Sequence, residues 1–234
     1  MRILDLLEKK YTFPRSRKKI TGLISSPKLQ HLGSGVQAIA FAHKKHPNTV
    51  IKTIQVWGEQ DPVLAFVRIC MNHQDNPFFP RIYHAKLYDI DKMSDEEREV
   101  LFSHIDPEDS PPDPGSAVIV LVMEKLYPIH IPENEEMAIK MLQKLGVLPA
   151  DLSTLTYVGS TEVRPPLSAT SKAFDTPMKR KQLRQQSDNP QFIQAMRLLE
   201  PIFRQHYPDL HKKNIMIRKT ISGPQLVLAD PVSG

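Results

Sequence analysis

Asp209-Leu210-His211-Lys212-Lys213-Asn214-Ile215-Met216-Ile217-Arg218, continued past Ser222-Gly223 by Gln225-Leu226-Val227-Leu228-Ala229-Asp230, reads as a loop, a short strand, a tight turn and a second short strand. Asp209 and Asn214 stand five residues apart in the loop, and Asp230 closes the apolar strand. The pattern therefore sets three oxygen-bearing side chains at the ends of one hairpin. A carboxylate there can orient and deprotonate a hydroxyl, and amide and carboxylate oxygens suit a hard cation such as magnesium. Acids that merely cap turns would explain either Asp by itself, but not the ordered set taken with a lysine far upstream.

That lysine is Lys52. Leu32-Gly33-Ser34-Gly35-Val36 forms a glycine turn between short aliphatic runs, and Val50-Ile51-Lys52 lies on the strand after the next turn, His46-Pro47-Asn48. Glycines at a hairpin tip let backbone N–H groups approach phosphate oxygens without interference from a Cβ, and a lysine on the next strand can neutralise the charge. Alone, such a turn carries little weight; with the downstream hairpin it completes a parts list for phosphoryl transfer. The rest of the chain is read around these segments. A strand–turn–strand–turn–strand meander spans 28–56, an amphipathic helix spans 61–73, and 81–88 is extended. An acidic stretch over 89–113 precedes a buried strand, Ala117 to Met123, and helices are expected over 133–145 and 192–206. Between these helices, 146–190 has five prolines, many Ser and Thr, and the basic run Lys179 to Arg184, which reads as a mobile insertion with a solvated charge run. Phe78, Phe79 and Trp57 are expected in the core, and Cys70 as an inert buried thiol.

These residues resemble the eukaryotic-like protein kinase superfamily, and most closely the early-expressed serine/threonine protein kinases of podoviral phages. The similarity rests on Leu32-Gly33-x-Gly35, Pro47-Asn48-x-Val50-Ile51-Lys52, His211-x-x-Asn214-Ile215-Met216 and Asp230-Pro231-Val232-Ser233, and runs from about Leu29 to Gly234. It implies an α+β, two-lobed kinase-like fold. The N-lobe and hinge (28–126) would carry an antiparallel sheet plus a helix, and an abbreviated helical C-lobe (127–234) the catalytic hairpin; ahead of them, helical spacing at Ile3, Leu4, Leu6 and Leu7 and the basic run Arg15 to Lys19 predict a short helix and a basic turn over 1–27. It also implies Asp209, Lys52 and Asn214 as catalytic residues and Asn214 and Asp230 as magnesium ligands. ATP would be held by Leu32, Gly33, Ser34, Gly35, Val36 and Lys52, with Met123 as gatekeeper and the backbone of Glu124 and Leu126 meeting the adenine edge. The implied partners are host bacterial proteins as substrates, in the host cytoplasm, with self-phosphorylation of the Ser/Thr-rich insertion as a further expectation.

The pattern departs from the superfamily at four places. Ala38 replaces the third loop glycine; His211 stands where serine/threonine kinases carry lysine; Asp230 is followed by Pro-Val, with no activation loop expected; and the helix over 61–73 has no interior Glu for Lys52, leaving Glu59 and Asp61 as candidates. The spelling D-L-H-x-x-N also resembles aminoglycoside and other small-molecule phosphotransferases, so that substrate class stays open. A nucleotide-binding pseudokinase acting as an interaction protein is the non-enzyme alternative. Composition narrows the field further. A balance of 31 Lys+Arg against 26 Asp+Glu leaves +5, short of a nucleic-acid-coating charge, and the basic run lacks interleaved aromatics for base stacking. The apolar stretches are too short for a membrane span, and a single cysteine forms no internal disulfide, both fitting a reducing cytoplasm.

Overall fold

A computed structural model describes residues 29–34, 38–95, 98, 117–129, 131–148 and 170–232. The leading helix and basic turn expected over 1–27, most of the acidic stretch and the central part of the insertion lie outside the described residues. The chain divides into two units: one runs to Asn72 and resumes over Arg81–Lys125, the other comprises His73–Pro80 and Leu126–Ser233. Among the described residues the protein is α+β, with a five-stranded antiparallel sheet, a three-stranded sheet and four α-helices. No described helix is long and apolar enough to cross a membrane.

In the first unit the meander forms as expected: β1 (Leu29–Ser34), β2 (Ala38–His43) and β3 (His46–Val56), then β4 (Ile82–Asp89) and β5 (Ala117–Glu124). The spatial order β1-β2-β3-β5-β4 puts β5 between β3 and β4. A central strand is covered on both faces, which is why 117–123 reads as an unbroken apolar run and not as an alternation. One face buries Ile39, Phe41, Ile51, Val118 and Val120 with Ile90 and Met93. Helix α1 (Pro62–Asn72) buries Val63, Leu64, Phe66, Val67, Ile69 and Cys70. Its start is set by Asp61, whose Oδ1 accepts the Val63 N–H at 2.8 Å while Oδ2 accepts the Trp57 N–H at 2.9 Å. Trp57 itself, expected in the core, is 41% exposed, because it follows the last residue of β3 and lies beyond the sheet.

The second unit contains β6 (Tyr127–Pro128), α2 (Pro132–Lys144), α3 (Pro177–Gln186), α4 (Pro190–Phe203), β7 (Ile215–Thr220) and β8 (Gly223–Leu228). Each helix opens on a proline, whose missing N–H would be unpaired there in any case. Residues 73–80 belong to this unit through specific bonds. Asn76 Nδ2 donates to Gln191 O at 2.9 Å and Gln194 Oε1 at 3.2 Å, Phe78 packs on Phe192, and buried Arg218 donates to Pro77 O and Phe79 O at 2.8 and 2.7 Å. Leu228 N–H closes the set on Phe78 O at 2.8 Å. The β7–β8 hairpin turns through Ile221-Ser222, and Gly223 has φ +112°, a backbone state in which a Cβ is strained. Gly223→Ala is expected to lower stability by about 1 kcal/mol, read as a lower urea midpoint.

The reading of 146–190 as one mobile insertion with a solvated basic run is corrected where the structure describes it. Residues 177–186 form α3, capped by Thr176 Oγ1 accepting the Lys179 N–H at 3.3 Å. Arg180 is 1% exposed. Its Nε and Nη2 donate to Glu200 Oε2 and Oε1 at 3.2 and 3.3 Å, its Nη1 donates to Phe174 O at 2.8 Å, and the guanidinium stands over the Phe203 ring. A guanidinium can be buried when its donors are satisfied, and here the carboxylate acceptor comes from a separate helix and the carbonyl from the turn before its own.

Candidate active site

The loop 208–214 and the segment 229–232 are tied together by backbone hydrogen bonds. Asp209 N–H donates to Pro231 O at 2.8 Å, Ala229 and Asp230 N–H both donate to Asn214 O at 2.9 and 3.3 Å, and Pro208 and Val232 form an isolated bridge. Within the loop, His211 N–H reaches Asp209 O and Asn214 N–H reaches His211 O, at 3.1 and 2.9 Å. Leu210 is fully buried and anchors the turn, while Asp209, His211, Asn214 and Asp230 remain partly accessible. Three of the expected site residues, Asp209, Asn214 and Asp230, are thereby joined in one small region.

The Asn214 amide organises this region. Its Nδ2 donates to Asp209 O at 2.8 Å and to Asp209 Oδ2 at 2.9 Å, using both amide hydrogens. Its Oδ1 accepts no hydrogen bond among the described residues. The His211 ring sits beside the same carboxylate, with Nε2 at 3.3 Å from Asp209 Oδ1. No three His, Cys, Asp or Glu side chains among the described residues converge to hold a metal ion by themselves. Asn214 Oδ1 and the Asp230 carboxylate are oxygen groups of the chemical kind that a hard cation takes as ligands.

In the first unit Lys52 is half-buried near the middle of β3. Its register partners are Ala40 on β2 and Leu121 on β5, and Ala40 pairs in turn with Gly33 on β1. Side chains in register share a face, so Gly33, Ala40 and Lys52 form a row, and Met123, two residues beyond Leu121, lies on that face as well. A Cβ added at Gly33 would meet nothing within 4 Å, and Leu32 beside it is 48% exposed. Gly35 and Val36 lie outside the described residues, as does the side chain of Ser34. Met123 is buried, and the Glu124 N–H donates to Arg81 O at 3.0 Å. Glu124 Oε1 also accepts the Arg81 N–H at 2.8 Å. Asp61, one of the two acids read as candidates for Lys52, spends both carboxylate oxygens on backbone amides.

No protein-family model matches the chain, and no curated protein is significantly similar to it.

Proposed function

We propose that this protein is a magnesium-dependent kinase that transfers the γ-phosphate of ATP to serine or threonine hydroxyls of bacterial host proteins. The observation that carries the reading is the Asn214 amide. By donating to Asp209 O and Oδ2 it fixes a base, and its remaining Oδ1 would serve as a cation ligand, with the Asp230 N–H donating to the Asn214 carbonyl. In the transfer, the acceptor oxygen bonds to Pγ, the bond from Pγ to the β,γ-bridging oxygen breaks, ADP leaves, and the hydroxyl proton passes to Asp209. Bound magnesium would neutralise charge on the phosphates, and Asn214 and Asp230 are the residues that would hold it. Lys52 would add a fixed positive charge for the α- and β-phosphates, and the bare backbone at Gly33 admits the phosphates closely. The α+β architecture, with its five-stranded antiparallel sheet, is compatible with a two-lobed kinase fold.

A second reading, a small-molecule phosphotransferase, is favoured by His211 in place of the lysine of protein kinases. Incubation with γ-labelled ATP, magnesium and a bacterial lysate separates the two: label in protein bands supports the first, label only in small molecules the second, and no transfer removes both. Binding is checked independently. At a hundredfold excess of ATP over its dissociation constant the folded state should gain about 2.7 kcal/mol, seen as a higher melting temperature that magnesium increases further. No shift with or without magnesium would eliminate the kinase reading.

A further inference from the structure

The Lys213 backbone N–H donates to His211 Nδ1 at 3.0 Å. A neutral imidazole has one acceptor nitrogen and one N–H, and a protonated ring has two N–H groups and no acceptor. An Nδ1 that accepts is therefore bare, and the ring proton sits on Nε2. The surroundings of Nε2 agree. Asn214 Nδ2 approaches it at 3.4 Å, but both of that amide's hydrogens already go to Asp209 O and Oδ2, so it has none left to donate. The acceptor within reach of Nε2–H is Asp209 Oδ1, at 3.3 Å. The Asp209 carboxylate thus accepts from the Asn214 amide at Oδ2, while its Oδ1 lies beside the His211 ring, 3.3 Å from Nε2 and without hydrogen-bond geometry.

We propose that His211 is a positioning residue, a neutral imidazole locked by the Lys213 amide in its Nε2–H form so that it aims the Asp209 carboxylate at the acceptor hydroxyl. The inference rests on Asp209 acting as the base of the proposed transfer. The 3.3 Å contact is not aligned as a hydrogen bond and is expected to close into one when an acceptor occupies the site, since hydrogen bonds between catalytic groups commonly align only then. Neither side chain is sealed off: His211 and Asp209 are 38% and 37% exposed, so a hydroxyl can reach the carboxylate beside the ring.

Two substitutions separate this role from a purely structural one, because the two ring nitrogens have different isosteres. His211→Asn puts Oδ1 where Nδ1 was, retaining the acceptor for Lys213 N–H and deleting the Nε2 donor. His211→Gln puts an N–H donor near the Nε2 position and deletes the Nδ1 acceptor. With full-length protein, γ-labelled ATP, magnesium and bacterial lysate, His211→Asn should lose about tenfold or more in kcat, the scale of one hydrogen bond to a charged group, with KM for ATP and melting temperature close to wild type. His211→Gln should recover most of the lost kcat while melting lower. The 15N spectrum of the imidazole at neutral pH should show Nε2 protonated and Nδ1 bare. Undiminished kcat in His211→Asn, an equal loss of kcat in both variants, or a proton on Nδ1 overturns the inference while leaving the kinase reading standing. Absence of transfer by the wild type overturns both, whatever the ring tautomer.

Discussion

Asp209→Asn is expected to reduce phosphoryl transfer by about 10²- to 10⁴-fold, the range that a positioned general base contributes, while ATP affinity stays within a few-fold of wild type. The split follows from what Asp209 touches. Its partners are Asn214 Nδ2 on one oxygen and the His211 ring beside the other, and the group it would serve is the acceptor hydroxyl, not the nucleotide. The variant should fold, because an amide oxygen still accepts from Asn214 and the backbone bonds from Asp209 N–H to Pro231 O and from Asn214 Nδ2 to Asp209 O are untouched. Asp230→Asn should behave differently, losing the magnesium-dependent part of ATP binding as well as transfer, since a charged oxygen ligand is removed. Single-turnover transfer and a thermal-shift titration with and without magnesium read the two effects separately. An Asp209→Asn protein with wild-type rate would mean that the carboxylate is not the base.

Glu200→Gln is expected to destabilise the second unit by about 3–5 kcal/mol, the cost of breaking a buried ion pair by removing one partner. Glu200 receives Arg180 Nε and Nη2 and, at 2.7 Å, Arg184 Nη1, whereas Arg204 at 3.8 Å is exposed and adds little. With Glu200 neutral, the Arg180 guanidinium keeps Phe174 O but stays buried without a counter-charge. Replacing both members, Arg180→Met with Glu200→Leu, should restore much of the loss, because the penalty comes from the orphaned charge and not from the absence of an ion pair. Acid titration gives a second reading of the same pair. Burial pushes the Glu200 carboxyl up, but the hydrogen bonds and charges of Arg180 and Arg184 together outweigh it and hold the group below the usual carboxylate range. A carboxyl depressed in the folded state contributes stability that is fully present above its unfolded value and is lost as the pH falls through its folded value. The gap in urea midpoint between wild type and Glu200→Gln should accordingly be widest near neutrality and shrink on acidification; a gap independent of pH would mean that the charge on Glu200 does not carry the stabilisation.

Most elements were legible because their signals are local. The apolar alternation and turns of 29–56, the one-sided helices at 62–72 and 190–203 and the paired strands at 215–220 and 223–228 follow from backbone sterics and side-chain periodicity within about a dozen residues. The candidate site was legible for the same reason in its chemistry but not in its geometry. Asp209, Asn214 and Asp230 could be named from spacing, whereas the assignment of both Asn214 hydrogens to Asp209, and of the ring proton to His211 Nε2, depends on where the Lys213 and Asp230 amides come to lie.

Other features had no local signal at all. A basic run reads as solvated because charges rarely go inside unpaired; Arg180 is inside because Glu200, twenty residues later on another helix, supplies the acceptor. Residues 73–80 interrupt the first unit in sequence and yet join the second, because Asn76 and Phe78 find α4 and the carbonyls of Pro77 and Phe79 find Arg218, well over a hundred residues away. Sequence by itself determined most of the strands and helices, though not the helix at 177–186, and named the candidate site side chains, since both readings depend on neighbours along the chain. Tertiary structure alone decided which charges could be buried and which hydrogens each site residue has left to donate, since both depend on partners that only folding brings within hydrogen-bonding distance.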